Sequence, residues 1–282
     1  MLANASAGKS AQDDVFAGNR ALGRIALAVA AARGGSRVAR LHESGALRVR
    51  FPNVRSGDAL DAVILNTAGG MTGGDRFDLD IAVGAGARLA ATTAAAEKVY
   101  RSLGPDCRIA IKLAVGAGAA LDWLPQETIL FDRVKLARSI DVELAPGGNL
   151  LLAEAIVFGR AAMGEAVVEG RLFDRWRVRL GGALTFAESV RLDGDIARRL
   201  SQRAIAGGGI ALASVLKIPG DESDVAAVRA AAEAGMGEVG VSAWNGLALA
   251  RLVAHDGAAL RRDLIGVIAA LRRAPPPRLW LN

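Results

Sequence analysis

Apolar residues recur at every second position through most of this 282-residue chain. "RFDLDIAV" sets Phe77, Leu79, Ile81 and Val83 on one face and Arg76, Asp78 and Asp80 on the other. "RIAIKLAV" does the same with Ile109, Ile111, Leu113 and Val115 against Arg108 and Lys112. "RIALAV" from Arg24 and "LRVRF" from Leu47 follow the pattern. This period predicts half-buried strands of antiparallel sheets.

The pattern also echoes itself. "IAVGAGARLAA", "LAVGAGAALDW" and "LAPGGNLLLAE" share one plan of strand, glycine turn and strand. Their turn glycines are read as Gly84, Gly116 and Gly147, spaced 32 and 31 residues apart. A repeat of that length predicts successive layers of a stacked, solenoid-like sheet structure. The final third changes period. "DESDVAAVRAAAEAG" has an acidic start, an alanine interior and Gly235 as a stop, so it predicts a helix. "EVGVSAW" and "LALARLVA" predict two more strands. "DGAALRRDLIGVIAALRRA" carries an apolar stripe of Leu260, Leu264, Val267, Ile268 and Leu271, and its closing arginines suit a helix C-terminus. The fold class is therefore mainly β, with stacked antiparallel sheets of β-helix-like character and two α-helices in the C-terminal third. Residues 1–18 are expected to be a disordered extension, and 19–282 a single β-rich domain.

Composition narrows the function classes. Hydrophobic residues make up 52% of the chain, enough for a sizeable core, but aromatics only 4%, so aliphatic side chains must fill it. The net charge is +6, carried by arginines spread over nearly every segment. Dispersed arginine at alternating positions reads as a solvated sheet face. A nucleic-acid surface needs clustered charge and aromatics to stack on. Cys107 is the only cysteine, so no intrachain disulfide forms, which fits a reducing, cytoplasmic setting. The first residues lack the basic flank and apolar core of a signal peptide. The longest apolar run, "IALAVAAA" from Ile25, is eight residues, too short to span a bilayer.

Two stretches resemble phosphate loops. "NTAGGMTGGD" follows an apolar strand, but Asp75 stands where a P-loop has its lysine and would repel a phosphate. Its glycines are read as turn and close-approach positions. "ANASAGKS" at residues 3–10 fits a relaxed P-loop pattern with no strand before it. His42 and His255 are isolated, and no Cys or His pair has ligand spacing. What stands out is acids among apolar strand residues: Glu154 in "LLLAEAIVFG", Glu188 in "LTFAESVRL", and Glu127 after "DWLPQ". A carboxylate so placed must be paired, hydrated or bound to a cation. One reading is a buried ion pair with an arginine such as Arg160 or Arg191. The other is a hydrated acidic passage for a divalent cation.

"LNTAGGMTGGD", "AAAEKVYRS", "LDWLPQETILFD", "EAIVFGRAAMGE" and the closing "PRLWLN" resemble, in order, the urease accessory protein family UreD, also called UreH. The resemblance runs from about Gly23 to Asn282. It implies a stacked β architecture with two helices, and a maturation chaperone, not an enzyme. It implies UreF as direct partner, the GTPase UreG through UreF, and docking on apo-urease for nickel insertion; GTP belongs to UreG. No tightly bound cofactor is expected, and nickel passes transiently. Family acids flanking an internal passage fall on Asp75, Glu154 and Glu188. Glu97 stands where relatives more often have Ser or Thr. Arg278, Trp280 and Leu281, in the C-terminal "PRLWLN", are read as a partner anchor if Trp280 and Leu281 are exposed, with a sheet-edge or core role as the alternative. Neither nucleic acid nor membrane is expected as a partner. The alternative is an enzyme with two buried carboxylates as general acid and base, which needs both to face one cleft.

Overall fold

A computed structural model describes residues 18–52 and 59–281. The expected N-terminal extension and "ANASAGKS" thus fall outside the described residues, apart from Gly18. In chain order the strands are β1 (Leu22–Ala32), β2 (Gly35–Gly45), β3 (Leu47–Arg50), β4 (Leu60–Asn66), β5 (Arg76–Val83) and β6 (Arg88–Thr93). Then come β7 (Glu97–Val99), β8 (Cys107–Val115), β9 (Ala120–Trp123), β10 (Thr128–Leu130), β11 (Val134–Leu144) and β12 (Asn149–Phe158). The last are β13 (Glu169–Leu180), β14 (Ala183–Asp195), β15 (Ala211–Ile218), β16 (Glu238–Trp244) and β17 (Leu247–Ala254).

They stack into two large sheets. The first runs β14-β13-β11-β8-β5-β1-β2 and the second β16-β17-β15-β12-β9-β6-β4-β3. The short strand β10 pairs in parallel with the end of β12 on one side and with β7 on the other, making a narrow third wall. Each coil passes from the first sheet to the second and on to the third wall before returning. Val83 lies beside Val115, and Val115 beside Leu144, so successive coils are 32 and 29 residues long.

The expected β-helix character is present, but strand direction is corrected. The inner ladders β1-β5, β5-β8, β8-β11 and β11-β13 are parallel. A chain that turns at a corner into the other sheet comes back one coil later in the same direction, so it stacks in parallel. Antiparallel pairing is kept where hairpins close, at β1-β2 and β13-β14, and where β15 reverses against β12 and β17 in turn against β15. The turn glycines also shift. The residues with positive φ at equivalent corners are Gly86, Gly118 and Gly147. Gly84 and Gly116 align instead with Ala145, which is why the second spacing is shorter than 31.

Both expected helices form. Asp221 caps α2 (Glu222–Ala232) by accepting from Ser223 N and Asp224 N, and Asp256 caps the long helix by accepting from Ala259 N at 2.7 Å. A third helix, α1 (Ile196–Leu200), precedes α2 and the long α3 (Gly257–Arg272). It is too short to show a period and starts on the Asp195 cap. The main core lies between the inner faces of the two sheets. A second core packs the outer face of β12, β15 and β17 against α3, around Leu260, Leu264, Val267, Ile268 and Leu271. The stripe read from sequence is the one that is buried.

Cys107 sits at the start of β8 and is fully buried. Burial, followed by the fields of Asp75, Glu97 and Asp106, pushes its thiol up to about 12. Cys107 is expected to stay unreactive to a thiol reagent at pH 8 and to react once denaturant unfolds the core. Fast labelling of the native protein would contradict this packing.

Candidate functional site

The glycine loop that first resembled a phosphate cradle is closed on itself. Met71 N donates to Lys98 O at 2.8 Å and Gly74 N to Asp106 O at 3.2 Å, so these amides are spent on backbone. A side chain at Gly73 would sit 1.8 Å from Ser102 Oγ, so the glycine is required by close approach. Asp75 is buried and accepts from Ala21 N at 2.8 Å and from Thr72 N at 2.7 Å. It fastens the entry of β1 to the loop.

Glu154 points from β12 into the space between the sheets, flanked inward by Leu152 and Ile156. Facing it from β11 is Arg138, which occupies the same inward phase as Leu136 and Ile140. Arg138 Nη1 donates to Glu154 Oε2, and Arg138 Nη2 and Nε donate to Asp174 at 2.5 and 3.1 Å. Asp174 is the neighbour of Arg138 in the β11-β13 register. Trp123 Nε1 donates to the other Glu154 oxygen at 3.0 Å. All three charged residues are at most 5% exposed. The ion pair expected for Glu154 therefore exists, but with Arg138. Arg160 pairs with Glu165 at 2.6 Å, and Arg191 faces outward near Asp193.

The electrostatics follow from burial. Loss of water pushes the Glu154 carboxyl above its usual range, and Asp174 adds to that, while Arg138 and the Trp123 N–H pull it back. Burial alone would lower the Arg138 pKa, but Asp174 and Glu154 hold it above its ordinary value. With both acids ionised, the cluster has two negative charges to one positive.

Two cavities, each partly open to the surface, share Arg138 and Glu154 as lining. One, of about 70 Å³, reaches from Arg138 and Glu154 past Thr128 and Trp123 to Asn66 and Glu97. The other, of about 230 Å³, extends from the same two residues and Asp174 to Ser214, Glu188 and Arg251. Glu188 accepts from Arg251 Nη2 at 3.0 Å. Glu97 accepts from Asn66 Nδ2 at 3.1 Å, and burial, opposed by that bond, raises its pKa. Of the three acids expected to act together, Glu154 and Glu188 line one cavity, and Asp75 lines neither. Glu97, Arg138 and Asp174 were missed. For the last two the signal was a charge on the inward, apolar phase of "VKLARSIDVEL" and "RLFDRWRVRL". Among the described residues no group of three or more His, Cys, Asp or Glu side chains is arranged to hold a metal ion.

The C-terminal reading is corrected in part. Trp280 is 1% exposed and donates from Nε1 to Leu124 O at 2.9 Å. Arg261 stacks over its ring at 5.1 Å and pairs with Glu127 at 2.9 Å. The tail thus closes the second core, because an indole with one N–H is best satisfied by a buried carbonyl. Arg278 and Leu281 remain exposed. "WLPQE" is the hub of this arrangement: Trp123 holds Glu154, Leu124 holds Trp280 and Glu127 holds Arg261.

The chain is thus a coiled β-solenoid whose apolar core holds one buried charged cluster, Arg138 with Glu154 and Asp174. The family model described as "UreD urease accessory protein" matches residues 21–281. A protein named urease accessory protein UreD from Rhodopseudomonas palustris strain BisA53 is 56% identical over 95% of this chain and 93% of its own length. Its namesake in strain HaA2 is 53% identical over 97% and 98%. The one from Bradyrhizobium diazoefficiens is 52% identical over 97% and 98%. The chain belongs to the UreD family of urease accessory proteins, and is an accessory factor, not an enzyme. No described helix is long and apolar enough to cross a membrane.

Two outcomes follow from the cluster. Arg138→Met alone leaves two buried carboxylates without a counter-charge and is expected to cost about 3–5 kcal/mol in denaturant unfolding. Adding Glu154→Gln and Asp174→Asn removes those charges and should restore most of that loss. Failure of the triple variant to recover would show that the charges are not what Arg138 offsets. Glu97 gives a pH signature. Its folded pKa is raised, so the neutral form favours folding below the ordinary glutamate range, and that contribution is lost as pH rises through the folded value. Glu97→Gln should therefore be more stable than wild type at neutral pH, with the difference closing as pH falls below about 4.3. A pH-independent difference would count against this origin.

Proposed function

We propose that this chain is a scaffold chaperone of urease maturation, binding UreF directly and UreG through it, docking with them on the urease apoprotein, and passing nickel through its interior. GTP is hydrolysed by UreG, nickel is transient cargo, and the setting is cytoplasmic. Family membership supports the maturation role. The observation that carries the passage is the pair of cavities abutting Arg138 and Glu154, with Glu97 at one end and Glu188 at the other. Carboxylate oxygens suit a hard or borderline divalent ion held weakly. The excess negative charge of the cluster attracts a cation from either side. Arg138 stands between the cavities, so a passing ion must exchange with its guanidinium for the carboxylates.

The reading separates the three acids. Glu154→Gln with Glu188→Gln should lower the nickel content of co-expressed urease several-fold while UreF and urease still co-purify. Full nickel loading in that variant would remove the passage and leave the scaffold. Asp75→Ala is expected to act differently, by loosening the β1 entry, and to reduce thermal stability and complex yield together.

A further inference from the structure

The outer face of the first sheet is net positive along β8, β11, β13 and β14. On β8 the outward residues include Arg108 and Lys112, and on β11 Lys135. On β13 they include Arg171, Arg175, Arg177 and Arg179, and on β14 Arg191. Against these eight cations stand five outward acids, Asp141, Glu143, Glu169, Asp193 and Asp195. The difference, +3, is half of the whole-chain excess of +6. The ladder places them in rows: Lys112, Asp141 and Arg177 lie side by side, as do Glu143 and Arg179. Asp141 pairs with Arg175 at 3.2 Å and Glu143 with Arg179 at 3.6 Å. Among the described residues no ion pair reaches Arg108, Lys112 or Arg177.

The chemistry around these cations fits a protein partner. Ala110, Ala137, Ser139 and Ala187 keep the lanes between arginines shallow, so the face is flat. Phe173, 38% exposed, lies in the register between Ala137 and Arg191, and Leu184, 53% exposed, lies beside Arg179. Arginine with an exposed aromatic is the composition of interface anchors. A polyanionic nucleic acid would meet the interleaved acids and find one ring to stack on. Four strands at about 4.8 Å spacing and nine residues at about 3.3 Å give roughly 550 Å² of face; including β5 and β1 brings it to about 850 Å², the size of a standard interface side.

We infer that this face of β8, β11, β13 and β14 docks an acidic surface of the urease apoprotein. The inference rests on the maturation reading and adds to it the surface used. The test compares the full chain, co-expressed with UreF, with Arg175→Glu/Arg177→Glu/Arg179→Glu and with a charge-matched control, Arg33→Glu/Arg37→Glu/Arg229→Glu, in binding purified urease apoprotein at low and high salt. All substituted positions are outside the core, and protection of Cys107 checks the fold. The expected result is at least a tenfold loss for the face variant, a flatter salt dependence, and little change for the control. Unchanged binding by the face variant overturns the inference and leaves the maturation reading standing. Equal losses in both variants also overturn it, since net charge alone would then account for binding. If the face variant loses RNA binding and keeps urease, the face is a nucleic-acid surface. If the wild-type complex fails to bind urease, the maturation reading falls and takes this inference with it.

Discussion

One guanidinium joins the two sheets. Arg138 belongs to the first sheet and Glu154 to the second, and their bond crosses the core that the aliphatic side chains otherwise fill. An isolated charge there would cost several kcal/mol to dehydrate. Asp174 beside Arg138, and Trp123 beside Glu154, make the placement tolerable by satisfying the remaining donor and acceptor. The arrangement also keeps side-chain packing from closing. Apolar residues of like volume would fill the gap between the sheets, whereas the charged heads leave space on either side, and the two cavities lie in that space.

The same cluster explains how much of the molecule was legible. Strand positions, coil repeat, both long helices and the buried stripe of α3 were readable because side-chain phase against solvent is a local property. Strand direction was not, since β5 and β8 alternate identically whether they pair in parallel or antiparallel. It is decided by where the corner at Gly86 sends the chain. Glu154 was legible as a lone charge in an apolar run. Arg138 and Asp174 obeyed the same rule, but each lies in a strand with charges on the outward phase, so the inward ones were hidden among them. Their pairing depends on a coil of stacking between β11 and β13, and no local pattern carries that. Trp280 was ambiguous for a related reason: an aromatic near a chain end is buried or exposed according to what Leu124 and Arg261 present to it.

Inside and outside use arginine in opposite ways, and the difference is solvent. Arg138 is worth its burial only because two carboxylates pair with it away from bulk solvent, so its contribution is set by geometry and is little affected by salt. On β13 the outward Arg171, Arg175 and Arg179 pair at 3.2 to 3.6 Å while partly exposed, where each pair contributes little to stability. Their number is therefore not explained by folding. A strand that alternates Leu172, Asp174, Trp176 and Val178 inward would be as well buried with serine or threonine outward. Four arginines on that one outward phase instead build a field, which falls off over a Debye length and orients an approaching partner before contact. A single strand, β13, thus supplies Asp174 to the interior cluster and the arginine column to the surface. The buried Arg138–Asp174 pair therefore lies one layer of backbone beneath the arginine column, and one strand has to satisfy both an apolar interior and a charged exterior.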